Sequence, residues 1–492
     1  MPVIHDPHPQ GHAEAACARQ WLALAIAVLV MAGLFSLVVV IGRMPPFDRL
    51  VTDPLFFKRG LVVHVNLALV AWFYSFIAAL LFLVPGPRPP GPLVRHSTRI
   101  SGAGVLMMLV AAGLPGTRPV LSNYIPMIDH WLFALGQVAF GIGVLASFLP
   151  RVLLPGGSRR EVFLGVSGAA RVGLRATALA LVVAVVTFGI SWWKMQDGLA
   201  VETYYELLVW GGGHVLQLAC SIAMVTVWLA LLGSALGASP VSRPAASWLF
   251  GALIAPWLLS PFLALQGTWS EAYRVGFTHL MQWSIFPVVG VFLVLCCRGL
   301  VRGWRDGRIG APELADPRVS GFLVSAALTL LGFGLGAAIR GSNTMVPAHY
   351  HASIGGVTAA FMTLTYLLMG AFGFTIPTPR LRRVAAWQPV VFGVGQMIFA
   401  GGFALAGAYG MTRKAYGAEQ AARSAVESAG LAVMGIGGLL AVVGGVLFLG
   451  VVVAIWRRGS EHDPRTEASL ARDSWRYRWA REIQMTSLRS RG

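Results

Sequence analysis

The sequence predicts an all-α polytopic membrane protein, a bundle of twelve transmembrane helices, and three observations carry that prediction. Its 492 residues are 56% hydrophobic and only 12% charged, well outside the composition of soluble globular domains. Apolar runs of about 20 residues recur along the whole length, the number that crosses a hydrocarbon core roughly 30 Å thick. The connections between them are short and rich in breakers, as in "PGPRPPGP" after the second run and "PGGSRR" after the fourth.

The expected spans, in order, are 20–43, 60–85, 100–116, 124–149, 172–195, 203–235, 245–266, 275–299, 319–339, 346–376, 385–411 and 429–456. A polar, His-bearing N-terminal tail (1–19) precedes the first, and that run is long enough to span, so no cleavable signal peptide is expected. No internal repeat or soluble domain is visible. The organisation expected is therefore a tail, one membrane domain over 20–456, and a basic C-terminal tail over 457–492. Cys17, Cys220, Cys296 and Cys297 show neither CxxC nor zinc-type spacing, which argues against a disulfide framework or a thiolate metal site.

The net charge of +18 would suggest nucleic acid as a partner for a soluble protein. Here the arginines sit mostly in loops, where they set orientation beside membrane lipid, and no nucleic-acid partner is expected. The even-numbered loops and C-terminal tail hold 26 of the 38 lysines and arginines, counting span-end residues with the adjoining loop. That excess places both termini in the cytoplasm of a bacterial-type inner membrane and turns the odd-numbered loops outward.

This orientation gives the eleven histidines a pattern. His5, His8, His12, His96 and His462 fall in tails or cytoplasmic loops. His64, His130, His214, His279, His349 and His351 fall inside spans, each within about 15 Å of the outer end at 1.5 Å per residue. Ionisable groups at membrane depth are costly and commonly functional, and six at one depth form a layer. Imidazole is the usual axial ligand of heme iron and also suits copper or non-heme iron. His349 and His351 stand two residues apart in "MVPAHYHASIGG". On a helix they point about 200° apart, so they suit two cofactors flanking one helix better than one shared metal. His64 is best placed by depth to supply a second axial ligand. Gly355 and Gly356 suit either the approach of a flat macrocycle or ordinary helix packing.

The segments "RGLVVHVNLALVAWFYSFIAALLFLVPG" and "MVPAHYHASIGGVTAAFMTLTYLLMG" resemble subunit I of the heme–copper oxidase superfamily, in wording closest to its nitric oxide reductase branch. The twelve-span count extends the resemblance over nearly the whole chain. It implies an oxidase-like bundle with two b-type hemes: a low-spin heme between His64 and His351, and a high-spin heme on His349. The sixth-span segment "LLVWGGGHVLQLA" resembles the motif that offers a histidine to a non-heme iron or copper, which puts His214 in that role.

The chain then departs from the pattern. It has no adjacent His-His pair, and its seventh span contains no histidine. "TWSEAYRVGFTHLMQWS" offers Glu271 and His279 as substitute metal ligands, since iron(II) accepts mixed sets. Alternatively Glu271 pairs with Arg274, and His279 bonds a heme propionate or a backbone carbonyl. Leu218, four residues after His214, replaces both the oxidase tyrosine and the reductase glutamate. Arg340 suits either a heme propionate or an outer snorkelling position.

Other polar groups lie toward the outer face: Asp129, His130, Glu202, Glu206 and Glu271. They fit proton uptake from that side as well as ordinary interfacial charge. Trp192, Trp193, Tyr204 and Tyr205 read as an aromatic belt. With no CxxCH motif and no fused copper domain, electrons would come from a separate subunit or carrier: a cytochrome c, a cupredoxin or quinol.

The expected function is a respiratory reductase of a small diatomic substrate, nitric oxide or dioxygen, with His349, His214 and Glu271 at the reaction centre. The alternative is a heme-binding electron-transfer or gas-sensing protein without the non-heme metal. A transporter, with the histidines as substrate or proton sites, fits the absence of repeats poorly.

Overall fold

In lipid a spanning backbone must satisfy its own hydrogen bonds, and this chain does so as helix almost throughout. The computed structural model describes residues 9–51, 53–84, 86, 89–152, 166–310, 316–374, 376–414 and 423–458. Its long helices are α1 (Pro9–Ile41), α2 (Pro54–Leu81), α3 (Pro92–Gly113), α4 (Trp131–Val152), α5 (Gly168–Trp193) and α6 (Val201–Leu236). They continue as α7 (Arg243–Leu265), α8 (Glu271–Arg305), α9 (Pro317–Ala337), α10 (Met345–Ala371), α11 (Pro379–Ala408) and α12 (Ala425–Arg458).

Among the described residues eleven helices are long and apolar enough to cross a membrane, one fewer than expected. The shortfall is α3. It begins before the expected 100–116 span, and Arg95, His96 and Arg99 occupy its first two turns. At the N-terminus, helix replaces expected tail from Pro9 onward, and Cys17, Ala18 and Trp21 are already buried. Most of the expected C-terminal tail lies outside the described residues.

Three helices expected as continuous are interrupted. Residues Asn66–Ala71 of α2 and Met281–Ile285 of α8 form π-helical turns, and Ala255–Leu259 of α7 forms a 3₁₀ turn containing Pro256, which lacks a backbone donor. A short hairpin that the all-α expectation did not include joins α3 to α4. Its strands, β1 (Arg118–Val120) and β2 (Met127–Asp129), pair antiparallel with Pro119 opposite Ile128.

Helices adjacent in sequence pack as pairs, α3 with α4, α5 with α6, α9 with α10 and α11 with α12, while α1 lies against both α2 and α12. Small residues permit the close approach: a Cβ on Gly437 would stand 2.7 Å from the Gly395 carbonyl across the α11–α12 contact. Burial sorts the helices. The apolar windows of α2, α6 and α10 are 72%, 78% and 78% buried, whereas that of α8 is 33% buried. The three central helices carry His64, His214, His349 and His351; His279 rides on the peripheral one.

Candidate heme and metal site

On α2, the Nδ1 of His64 lies 2.9 Å from the Ala32 carbonyl of α1. A carbonyl can only accept, so Nδ1 carries the proton and Nε2 keeps its lone pair, the ligand-ready tautomer of a metal-binding histidine. Two residues later the π turn begins at buried Asn66. Its amide donates to the Val62 carbonyl at 2.9 Å and the Pro126 carbonyl at 2.7 Å, and its oxygen accepts from Gln137. The extra residue of a π turn re-aims what precedes it, and such turns concentrate at functional sites.

His351 stands on α10, which packs against α2 where Phe361 stacks on Phe76 at a centroid distance of 4.4 Å. The His351 ring packs beside Phe399 and Phe403 of α11, with centroids 4.6 and 6.1 Å away. Arg43, just past the end of α1, reaches the second of these phenylalanines. Its guanidinium lies 5.3 Å from the Phe403 ring and donates from Nη2 to the Arg413 carbonyl at 3.1 Å. A buried, permanently charged group thus stands against Phe403, which packs beside His351. Sequence reasoning counted Arg43 only as a loop cation. The Pro45-Pro46 pair ending the helix there was its one visible signal.

His349 faces the other way, as residues i and i+2 must. Its Nδ1 lies 2.6 Å from the Gly332 carbonyl of α9, which again fixes the proton on Nδ1. The ring occupies a slot made by glycine: a Cβ on Gly336 would come within 2.8 Å of Nδ1 and 2.9 Å of Cε1. Gly356 serves helix packing, since a Cβ there would meet the Thr329 hydroxyl at 2.9 Å and the Ser325 carbonyl at 3.0 Å.

His214 on α6 is fully enclosed, but its anchor is local: Nδ1 bonds the Trp210 carbonyl of its own helix at 2.7 Å. Tyr124, Trp210 and Phe277 surround the ring at centroid distances of 4.5, 4.7 and 5.7 Å. The run Gly211–Gly212–Gly213 makes this collar possible. Added Cβ atoms there would meet Phe277 and Tyr273 at 2.9 Å, Phe188 at 2.5 Å and Tyr124 at 2.6 Å. The Tyr273 hydroxyl donates to the Leu207 carbonyl at 2.8 Å and accepts from the Gly211 amide at 3.0 Å, bridging a pair that an unbroken helix bonds directly.

Tyr124 belongs to the hairpin connection and has φ of 61°, a left-handed conformation unusual for a tyrosine. Glu206 holds the preceding residue, accepting from the Asn123 amide at 2.9 Å and from its side chain. Burial, reinforced by Glu206, pushes the Tyr124 hydroxyl far above the usual tyrosine range, so it remains protonated at neutral pH.

The other sequence candidates lie apart from these centres. Glu271 occupies the first turn of α8 and is exposed. His279 is exposed as well, two residues and about 200° round the helix from Phe277, which packs toward His214. Among the described residues no group of three or more His, Cys, Asp or Glu side chains is arranged to hold a metal ion. Arg340 is exposed and donates to the Ala337 and Ile339 carbonyls at 2.7 and 3.0 Å, closing the end of α9. His130 accepts from the Leu132 amide at 3.2 Å, which gives it a role at the start of α4.

The donor sets can now be matched to the groups the resemblance implies. His64 and His351, on two packed central helices, suit a bis-imidazole heme, and a lone pinned imidazole beside glycine suits a heme with one open position. For a non-heme metal His214 is the one expected ligand buried in place, and no group of three or more His, Cys, Asp or Glu gathers round it among the described residues.

No protein-family model matches the chain. An uncharacterized protein of Rickettsia prowazekii (strain Madrid E) is 25% identical over 463 aligned residues, covering 81% of this chain and 88% of the relative. An uncharacterized protein of Aquifex aeolicus (strain VF5) is 26% identical over 359 residues, covering 72% of this chain and 85% of the relative. Each match takes in most of both chains, so the similarity belongs to the membrane body as a whole.

Proposed function

We propose that this chain is a membrane-bound oxidoreductase of the heme–copper oxidase type, with two b-type hemes and nitric oxide or dioxygen as substrate. His64 and His351 hold the low-spin heme, and His349 holds the high-spin heme at which the diatomic gas binds. The observation that carries the reading is that His64 and His351 stand on two of the most buried helices, which pack together through Phe76 and Phe361. Held by His64 and His351, heme iron would supply one-electron transfer, and held by His349 alone it would leave a position for the gas.

The protein's own part is to pin, charge and enclose. The Ala32 and Gly332 carbonyls fix the tautomers of His64 and His349 and raise their basicity as ligands. Arg43 provides a buried cation for a propionate, one of the two roles open to Arg340 on sequence grounds. The enclosing apolar helices exclude bulk water. All twelve long helices, α3 included, cross the bilayer of a bacterial-type inner membrane with both termini cytoplasmic. Electrons arrive from a separate subunit or carrier: cytochrome c, a cupredoxin or quinol.

A second reading keeps the hemes and drops the non-heme metal, leaving an electron-transfer or gas-sensing protein. The outward placement of His279 and Glu271 favours it. Metal analysis with carbon monoxide binding to the reduced protein separates the two. The enzyme reading expects one non-heme iron or copper per chain beside a carbon monoxide-reactive heme. Finding hemes alone selects the second reading, and finding no heme overturns both.

A further inference from the structure

The face opposite the histidine layer carries a cleft that the heme reading does not use. It lies between the start of α1 and the start of α3, encloses about 400 Å³, and is lined by Cys17, Gln20, Arg95, His96 and Arg99 with two alanines of α1. That volume holds roughly a dozen water-sized groups. The two helices that form it are tied together: the Trp21 indole donates to the Ser97 hydroxyl at 3.2 Å, and Ser97 donates to the Val94 carbonyl at 2.6 Å.

The lining is basic. Arg95 and Arg99 stand one turn apart on one face of α3, both exposed, and an Arg99 nitrogen lies 3.3 Å from Nδ1 of His96. The nearby acid, Glu14, is buried and is not part of the lining. The first turn of α3 has no side-chain cap, so its amides add to the positive potential. Further along the helix, Leu106 and Val110 follow Arg99 at seven and eleven residues, on nearly the same stripe. They are 61% and 47% exposed on an apolar helix.

We propose that this cleft binds the phosphate headgroup of an anionic phospholipid, with the acyl chains lying along the Leu106–Val110 stripe. Paired arginines match a phosphodiester in charge and geometry, and basic pockets between membrane helices are known to take anionic lipid headgroups. The apolar stripe is what selects lipid over free phosphate. The arginines in the first two turns of α3 then have a purpose beyond orientation. This inference stands independently of the hemes.

The test uses the full chain, purified in detergent and exchanged into mixed micelles of phosphatidylcholine and phosphatidylglycerol, with retained lipid counted by native mass spectrometry. Phosphatidylglycerol is expected to be retained in preference to phosphatidylcholine. Each arginine should contribute about fivefold to that preference, so Arg95→Ala with Arg99→Ala should lower it about 25-fold. Arg305→Ala, at an exposed arginine elsewhere on the same face, should leave it unchanged, and a millimolar excess of inorganic phosphate should not displace the lipid. Equal retention of the two lipids, an unaltered preference in the double variant, or displacement by phosphate would each overturn the proposal.

Discussion

The α2–α10 region and the α6–α8 region both hold histidines that the sequence assigns to one depth, yet they are built differently. In the first, His64 and His349 are anchored across helix interfaces, to Ala32 on α1 and Gly332 on α9. In the second, His214 is anchored within its own helix and enclosed by aromatic rings, and His279 faces outward. An interhelical anchor fixes a ring relative to two independent frames, as a ligand needs. A collar of rings fills the space a ligand would occupy. Depth alone therefore does not assign a histidine its task; the partner of Nδ1 and the face of the helix do.

The largest effects should come from breaking the first region. His64→Ala and His351→Ala should each abolish the low-spin heme component of a reduced-minus-oxidised spectrum, since bis-imidazole ligation needs both. His349→Ala should remove only the carbon monoxide-reactive component. If His351→Ala kept the low-spin signal, the two faces of α10 would have been assigned in the wrong sense.

Next in size is the glycine slot. Gly336→Val would drive a side chain into the His349 ring and cost about 1–3 kcal/mol of stability through overpacking. Carbon monoxide binding should fall while the low-spin spectrum stays intact. Loss of both signals together would mean that the substitution disrupts α9 generally.

The second region should respond more weakly and unevenly. His214→Ala should cost about 2 kcal/mol by emptying the aromatic collar, and His279→Ala should stay within about 0.5 kcal/mol of the parent protein. Both variants should keep both hemes. A His279→Ala protein that lost turnover or a metal would restore the non-heme site to α8.

The smallest effect concerns Tyr124. Its hydroxyl is held above the ordinary value of 10.0, so the folded chain retains a proton that the unfolded chain loses once the pH exceeds 10. Stability should fall as pH rises through that point, and Tyr124→Phe should remove this part of the decline. Thermal melts of the two proteins at pH 9 and pH 11 measure it; parallel declines would count against a buried, protonated hydroxyl.

Much of the bundle was legible because apolar length and breaker spacing are one-dimensional signals. The pointing of His349 and His351 to different faces followed from helix geometry alone. The breaks in α2 and α8 were not legible, because a π turn leaves no composition signature. The signal is weakest at α3, where arginines at one end of a helix weigh against apolar residues at the other. At the site, Arg43 was hidden among loop cations, and the collar round His214 depends on Tyr124 and Phe277 arriving from distant segments. His279 and Glu271 looked promising by proximity in sequence. Their exposure is a property of how α8 turns, which spacing to His214 does not encode.

The most direct measurement is the pyridine hemochrome of the purified full chain, made with ample heme supply. The account predicts two b-type hemes per chain, falling to one in His64→Ala and in His351→Ala. A colourless protein without Soret absorbance would contradict it.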